Sequence, residues 1–228
     1  MIGVIANTIL VLIGSLFGFL LKKGIPENIK QLIMTGLGLF TCVLGIKMGI
    51  EMRNGLLVVL SMVLGGAIGQ ILKIEEGIEA LGEKLKTLVR YNEHASFAQG
   101  FVFASVLFCV GPMTILGCIK AGVENDHNLL FIKSLMDGVS ALILASSLGL
   151  GVMFSSIAVL LIQGALVLLS RQLIFLTDPI YLSDFTSVGG IIIFGIGIKL
   201  LGLKAIKVAN FLPGLILILL FTYIYSLI

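Results

Sequence analysis

The chain has little charge for its length. Only 12% of its 228 residues are Asp, Glu, Lys or Arg, and 58% are hydrophobic, whereas a typical soluble domain is about 25% charged. The net charge of +3 is too small to indicate a partner such as nucleic acid. Hydrophobic residues fall in blocks of about 20, the length of a bilayer-spanning helix. The composition therefore predicts a multi-pass membrane protein in contact with the lipid bilayer.

Residue types that carry common catalytic and cofactor chemistry are scarce. The three cysteines, Cys42, Cys109 and Cys118, lie in hydrophobic segments, and their odd number and spacing fit neither a disulfide framework nor a zinc site. The two histidines, His94 and His127, lie in predicted loops. Gly-x-Ser-x-Gly, His-Glu-x-x-His and complete glycine-rich nucleotide motifs are absent. We therefore predict that the chain is not an enzyme and has no catalytic residues, metal or cofactor.

Eight hydrophobic segments predict an all-α polytopic transmembrane helical bundle of seven or eight spans, forming a single integral membrane domain over residues 1–228. The predicted spans are Ile2–Leu21, Ile29–Ile50, Gly55–Leu72, Phe97–Lys120, Leu129–Leu148, Val152–Leu169, Ser187–Leu203 and Val208–Leu227. The first segment lacks the basic start and cleavage site of a signal peptide, so it is interpreted as a span. None of the segments shows the alternating polarity of a transmembrane barrel.

A different pattern separates the third and fourth spans. Over residues 74–95, hydrophobic residues recur at helical spacing while charges fill the other faces. This predicts an amphipathic connector on the membrane surface or against other loops. It separates spans 1–3 (residues 1–73) from spans 4–6 (96–170), and spans 7–8 follow over 186–228.

Lys and Arg residues predict the orientation of these spans. Ten of the 15 lie on the side of the first short loop, which the positive-inside rule places in the cytoplasm, with both termini outside. Two weak internal similarities, at offsets of 97 and 152 residues, further predict an inverted repeat of the kind found in many transporters. Chance similarity between hydrophobic helices is the alternative.

The fourth span is interrupted by Gly111-Pro112. Proline lacks an N–H donor and clashes with the carbonyl four residues earlier, here that of Phe108. Lipid offers no partner to the freed backbone groups. We therefore predict one broken helix, whose second half begins at Pro112 with a positive end suited to an anion. The alternative is a kink whose free groups bond to Ser105, Thr114 or a neighbouring helix.

Lys133 and Asp137 are four residues apart and share one face of the fifth span. Asp137 lies about 12 Å along that helix, near the middle of the hydrocarbon core, where a charge costs at least about 2.5–3.5 kcal/mol. Such an acid indicates a functional site by default, and a structural ion pair is the alternative. Asn7, Gln163 and Asn210 lie in other spans, where they are predicted to line a path or to bond between helices.

Several motifs resemble the bacterial YqgA/YdfK-like membrane protein family, a domain of unknown function (554). They are GVIANT at Gly3–Thr8, GFVFASVLFCVGPMTILGCIKAG at Gly100–Gly122, KSLMDG at Lys133–Gly138, GLGVMFS at Gly149–Ser155, Gln163-Gly164 and NFLP at Asn210–Pro213. The resemblance covers nearly the whole chain. It implies a protein of the bacterial cytoplasmic (inner) membrane with six to eight helices, and it implies no substrate. The recurrent polar positions of the family correspond to Asn7, Lys133, Asp137, Gln163 and Asn210, with Gly111 in the broken helix.

These features predict a secondary transporter or channel for an ion or small polar solute. In this hypothesis Asp137 binds a cation or proton, Lys133 tunes it, and the helix break supplies backbone groups. The predicted pathway residues are Asp137, Lys133, Gly111, Pro112, Asn7, Gln163 and Asn210. The competing hypothesis is a non-transporting scaffold or partner subunit. Gly-x-x-x-Gly pairs such as Gly14 and Gly18 also permit a homo-oligomer.

Overall fold

The computed structural model describes residues 1–21, 27–89 and 97–227, and these residues form helices and no strand. In chain order the helices are α1 (Ile2–Leu21), α2 (Glu27–Gly49), α3 (Gly55–Ile71), α4 (Ile74–Val89), α5 (Phe97–Cys109), α6 (Pro112–Val123), α7 (Asn128–Leu148), α8 (Leu150–Leu168), α9 (Pro179–Leu200) and α10 (Pro213–Tyr225). Short 3-10 turns, Ile174–Thr177 and Val208–Phe211, precede α9 and α10. The predicted all-α class is confirmed.

Six helical segments are long and apolar enough to cross a membrane. They are α1, residues 31–49 of α2, α7, α8, α9 and residues 208–225. Two bent pairs also pass this test when each is taken as one span: α3 with the start of α4, bent by 51°, and α5 with α6, bent by 56°. The described chain therefore has six to eight candidate spans, a range that includes the predicted seven or eight. The amphipathic helix is present over Ile74–Val89, and the rest of the predicted connector lies outside the described residues.

The predicted start of the seventh span is wrong. The interpretation placed residues 170–186 in a loop and began the span at Ser187, whereas α9 begins eight residues earlier, at Pro179. Asp184 lies inside this helix and is buried, and its Oδ1 accepts hydrogen bonds from the backbone N–H groups of Arg53 at 2.8 Å and Asn54 at 3.1 Å. The last span begins with a 3-10 turn and continues into α10 at Pro213, with proline in the first turn, where its missing N–H is not needed.

Contacts within the chain divide it into two compact units. The first contains residues 1–30 and 95–178. In this unit α1 and α7 run parallel, since Gly3 lies against Leu130 and Gly18 against Leu142. They approach so closely that a Cβ on Gly14 would lie 2.1 Å from the carbonyl oxygen of Gly138. Small residues at such contacts let membrane helices gain van der Waals attraction. The second half of the broken helix, α6, packs with α8 in the same unit.

The second unit contains residues 31–94 and 179–228. Here α3 and α10 run antiparallel, since Gly65 lies against Gly214 while Gly69 lies against Asn210. Gly45 of α2 packs in the same way against Gly190 of α9. Glycines predicted to permit helix association are thus in contact with helices of the same chain. A homo-oligomer, an inverted repeat and the integration of the chain into one domain stay predictions.

Candidate functional site

Four of the seven predicted pathway residues meet in the first unit. Asn7 comes from α1, Lys133 and Asp137 from α7, and Gln163 from α8, and all four side chains are buried. They meet because the glycine contacts hold α1 directly against α7 while α8 packs on both. We call these four residues the polar cluster.

Hydrogen bonds connect the polar cluster across three helices. Lys133 donates from Nζ to Asp137 Oδ1, so the predicted pair forms within α7. Asn7 donates from Nδ2 to Asp137 Oδ2 at 3.0 Å and to Gln163 Oε1 at 3.1 Å. Both N–H groups of the Asn7 amide are therefore used, whereas its Oδ1 is buried and has no partner among the described residues. This oxygen is the unsatisfied acceptor of the cluster.

The helix break lies beside the cluster. Helix α5 ends at Cys109 and α6 begins at Pro112. The carbonyl of Phe108 accepts hydrogen bonds from Thr114 Oγ1 at 2.9 Å and from Gln163 Nε2 at 3.4 Å. The Phe108 carbonyl, which has no N–H partner at Pro112, therefore bonds to Thr114 and to a neighbouring helix. These are two of the partners predicted for a simple kink. Ser105, the third, does not take this role, and its buried hydroxyl oxygen has no partner in the described part of the chain.

Two further observations describe this break. Gly111 has extended backbone angles (φ 172°, ψ 154°) that any residue adopts, and a Cβ there would meet nothing within 4 Å. Steric fit therefore does not require glycine at this position. The Lys133 ammonium lies 5.8 Å from the centre of the Phe108 ring, within the range of a cation–π contact. The ion pair and the break are thus direct neighbours.

The polar cluster is closed to solvent in this conformation. Asp137 is only 3% exposed and Lys133 9%. A cavity of about 290 Å³ between α1 and α8 is lined by apolar side chains apart from Thr8 and Ser156, and by no cluster residue. Access of water or a solute to Asp137 therefore stays a prediction. The described residues contain no group of three or more His, Cys, Asp or Glu side chains that could hold a metal ion.

Asn210 belongs to a different network, in the second unit. Its Nδ2 donates to Gln70 Oε1 at 3.0 Å, and its Oδ1 accepts from the backbone N–H of Glu75 at 2.9 Å. Glu75 Oε1 in turn accepts from Lys199 Nζ at 2.8 Å. Gln70 and Glu75 are absent from the predicted site, and Glu75 is one of the charges of the predicted amphipathic connector.

The two networks have the same chemical plan. Each contains a lysine–carboxylate pair and an asparagine amide that donates to a glutamine oxygen. The helices that carry the glutamines are also similar at their N-terminal ends, since the segment GLGVMFS precedes Gln163 and GLLVVLS precedes Gln70. A second sequence signal is the recurrence of Ile5-Ala6-Asn7 as Val208-Ala209-Asn210. These matches could have indicated the second network before the structure was known.

The bond from Thr114 to the broken helix is testable. Replacing Thr114 by valine removes the shorter of two hydrogen bonds to the Phe108 carbonyl, which lipid cannot replace. We expect a loss of about 1–2 kcal/mol in the free energy of unfolding, measured by reversible unfolding in mixed micelles. The matched control is Thr8→Val, because the partner of the Thr8 hydroxyl in the described part of the chain is the carbonyl of Val4 within an unbroken helix. Equal losses in the two variants would contradict this role.

Comparison with known proteins gives the same family as the sequence motifs. A family model described as "Protein of unknown function (DUF554)" matches residues 2–223. The "Uncharacterized protein YqgA" of Escherichia coli (strain K12) is 34% identical over 220 residues, covering 95% of this chain and 94% of that protein. The "Uncharacterized membrane protein YdfK" of Bacillus subtilis (strain 168) is 29% identical over 221 residues, covering 95% of this chain and 93% of that protein. No solved structure matches. The resemblance predicted from the motifs is confirmed.

Proposed function

The chain belongs to the DUF554 family of proteins of unknown function, and from that premise we propose a function from its own residues. It is a helical membrane protein with several apolar helices. We propose that it is a secondary transporter or channel of the bacterial cytoplasmic membrane, which moves an ion or small polar solute. We further propose that Asp137 is the group that binds a cation or a proton.

The observation that carries this proposal is the convergence of the polar cluster on the broken helix. A charge at the centre of a bilayer costs at least about 2.5–3.5 kcal/mol. A hydrogen bond between membrane helices returns about 0.6 kcal/mol on average. The hydrogen bond from Asn7 to Asp137 therefore offsets little of the cost, and the attraction between Lys133 and Asp137 has to supply most of the rest. A bundle that needed only stability is better served by hydrophobic residues at these positions.

The chemistry of the cluster favours a small cation or a proton. The acceptors of the cluster are the oxygens of the Asp137 carboxylate, Asn7 Oδ1 and Gln163 Oε1, and the adjoining helix break adds the Phe108 carbonyl. The Lys133 ammonium already occupies a cation position beside Asp137. In the proposed mechanism an incoming cation or proton neutralises Asp137 and frees Lys133. Return of Lys133 to the carboxylate then displaces the passenger. This cycle requires a second conformation in which Asp137 is exposed.

The test is flux into proteoliposomes loaded with a proton- or cation-sensitive dye. We expect Asp137→Asn to abolish the flux, because a neutral amide cannot exchange a cation or proton with Lys133. Since that variant leaves Lys133 without its carboxylate, the double variant Lys133→Gln/Asp137→Asn serves as a second test with no buried charge. The matched control is Asp126→Asn, which changes a half-buried loop carboxylate outside the cluster and keeps the oxygen that accepts from the Asn128 N–H. Wild-type rates in both Asp137 variants, for every solute that the wild type carries, would show that the assigned role is wrong.

A second candidate function is that of a non-transporting scaffold or partner subunit. The observation in its favour is that the cluster is buried and that, apart from Asn7 Oδ1, its polar side-chain atoms have hydrogen-bond partners among the described residues. Labelling with a water-soluble thiol reagent separates the two, using Gly111→Cys, Asp137→Cys and Gln163→Cys in a chain whose native cysteines are replaced. Reaction at these positions supports a pathway, and no reaction at any of the three supports the scaffold.

A further inference from the structure

The second unit contains a pocket that the proposed transport mechanism does not use. Its volume is about 560 Å³, and it lies between the C-terminal half of α3 and residues 204–211. Ligand sites in proteins commonly measure about 300–1,000 Å³. The polar side chains that line the pocket are Gln70, Lys204, Lys207 and Asn210, and the remaining lining is apolar or glycine.

Two amides at this pocket are held in a fixed orientation. The backbone N–H of Glu75 can only donate, so the atom of Asn210 that it contacts at 2.9 Å is the oxygen. The NH₂ group of Asn210 must then face Gln70, where it donates to Oε1 at 3.0 Å. The NH₂ group of Gln70, which has no partner among the described residues, is then the end of the chain of amides. Because Asn210 is only 3% exposed, the orientation is set by the protein interior and ends in a donor at the pocket.

The negative charge of Glu75 is kept away from this lining. Its Oε1 accepts from Lys199 Nζ at 2.8 Å and its Oε2 from the backbone N–H of Ala209 at 2.8 Å. Glu75 is only 6% exposed and does not line the pocket. Its two bonds instead hold the 3-10 turn that carries Asn210. The carboxylate therefore positions the pocket wall, and Lys199 compensates its negative charge.

The charges at the rim favour an anion. Lys204 and Lys207 both line the pocket, and Glu76 pairs with Lys207 at 2.5 Å in an exposed position. These three groups together carry one net positive charge. The lining contains no carboxylate, and its charged side chains and the end of its amide chain are hydrogen-bond donors. A phosphate group, with several acceptor oxygens and negative charge, is the complementary ligand.

We propose that this pocket binds a phosphate-bearing anion through the amide of Gln70 and the ammonium groups of Lys204 and Lys207. This site is separate from the polar cluster and does not depend on its function. The phosphate has two possible sources, a free ion or the headgroup of an anionic lipid. The predicted cytoplasmic position of these lysines suits either source, since anionic headgroups attract basic residues near the membrane surface.

The experiment has one arm for each source. Calorimetry of the full chain in a neutral detergent measures binding of inorganic phosphate. Native mass spectrometry compares bound phosphatidylglycerol with phosphatidylcholine. We expect Lys204→Gln to weaken binding about fivefold. This factor corresponds to the contribution of about 1 kcal/mol from one basic residue near an anionic headgroup. We expect Gln70→Glu to weaken it further, because a donor is replaced by a negative acceptor. Both positions are exposed, so folding is expected to be unaffected. The control is Lys120→Gln, an exposed lysine outside the pocket.

Each outcome decides the proposal. Binding of phosphate identifies a free-ion site, and preference for phosphatidylglycerol alone identifies a lipid site, provided that the two pocket variants weaken it and the control does not. The proposal is overturned if calorimetry detects no phosphate binding and phosphatidylglycerol binds no better than phosphatidylcholine. It is also overturned if Gln70→Glu and Lys204→Gln bind either ligand as the wild type does. Because Asp137 lies in the other unit, loss of flux in its variants has no bearing on this binding, and the two results are read separately.

Discussion

Replacing Asp137 by leucine is expected to destabilise the protein by about 3–5 kcal/mol, the usual penalty for removing one partner of a buried ion pair. The single change leaves the Lys133 ammonium buried, with the Asp137 carboxylate removed from its side. It also leaves Asn7 with one fewer acceptor. Reversible unfolding in mixed micelles, titrated with a denaturing detergent, measures the loss.

The matched control is the double variant Lys133→Met/Asp137→Leu. Hydrophobic residues of similar volume remove both charges together, and such replacements are often neutral or stabilising. We therefore expect the double variant to recover most of the stability lost in Asp137→Leu. Additive losses from Lys133→Met and Asp137→Leu would mean that the two side chains do not act as a pair. A stable double variant without flux would separate the role of the pair in transport from its role in folding.

Replacing Gly14 by alanine is expected to cost at least about 3 kcal/mol, at the upper end of the range for overpacked positions. The new Cβ would lie 2.1 Å from the Gly138 carbonyl oxygen, so the backbones of α1 and α7 would have to separate. The same movement would lengthen the bond between Asn7 and Asp137, which depends on that contact. Unfolding in mixed micelles measures the effect on stability.

Gly36→Ala is the control for this prediction. A Cβ at Gly36 would meet nothing within 4 Å, and the residue lies in helix α2. Alanine is favoured over glycine inside a helix by up to about 1 kcal/mol, so we expect no loss or a small gain in stability. If both variants lose the same stability, the close approach of α1 and α7 is not what holds the first unit together.

The positions of most helices could be predicted because lipid imposes a strong length requirement. The first helix was predicted at Ile2–Leu21 and observed there, and the fifth span was predicted from Leu129, one residue after the observed start of α7. Hydrophobic runs of this length have few alternatives to a helix in a membrane. The local pattern of Lys133 and Asp137 was equally accessible, since an i, i+4 pair needs only the helix itself.

The start of α9 could not be predicted in this way. A charged residue such as Asp184 normally marks the end of a span, and its helix was therefore begun too late. The partners that allow its burial are the backbone N–H groups of Arg53 and Asn54, which are 131 and 130 residues away in sequence. No window of sequence around Asp184 contains that information.

The membership of the site was predictable only in part, for a related reason. Lipid tails are as apolar as leucine, so hydrophobicity does not indicate which helices are neighbours. Asn7 and Gln163 were grouped correctly with Asp137, whereas Asn210 was grouped with them although it bonds to Gln70 and Glu75 in the second unit. Glu75 was missed because an amphipathic pattern shows which face is polar but not that one of its charges is buried.

The interleaving of the two units has a consequence for biosynthesis. Asn7 enters the membrane early, whereas Asp137 follows 130 residues later, which at about 5–20 residues per second takes about 7–26 s. During that interval α1 lies in the bilayer or the insertion machinery before α7, the helix it packs against, has been synthesised. The second unit waits longer still, since residues 31–94 are completed only by residues 179–228. Each unit therefore contains an early and a late segment of the chain, and it can complete its packing only after the late segment has been synthesised.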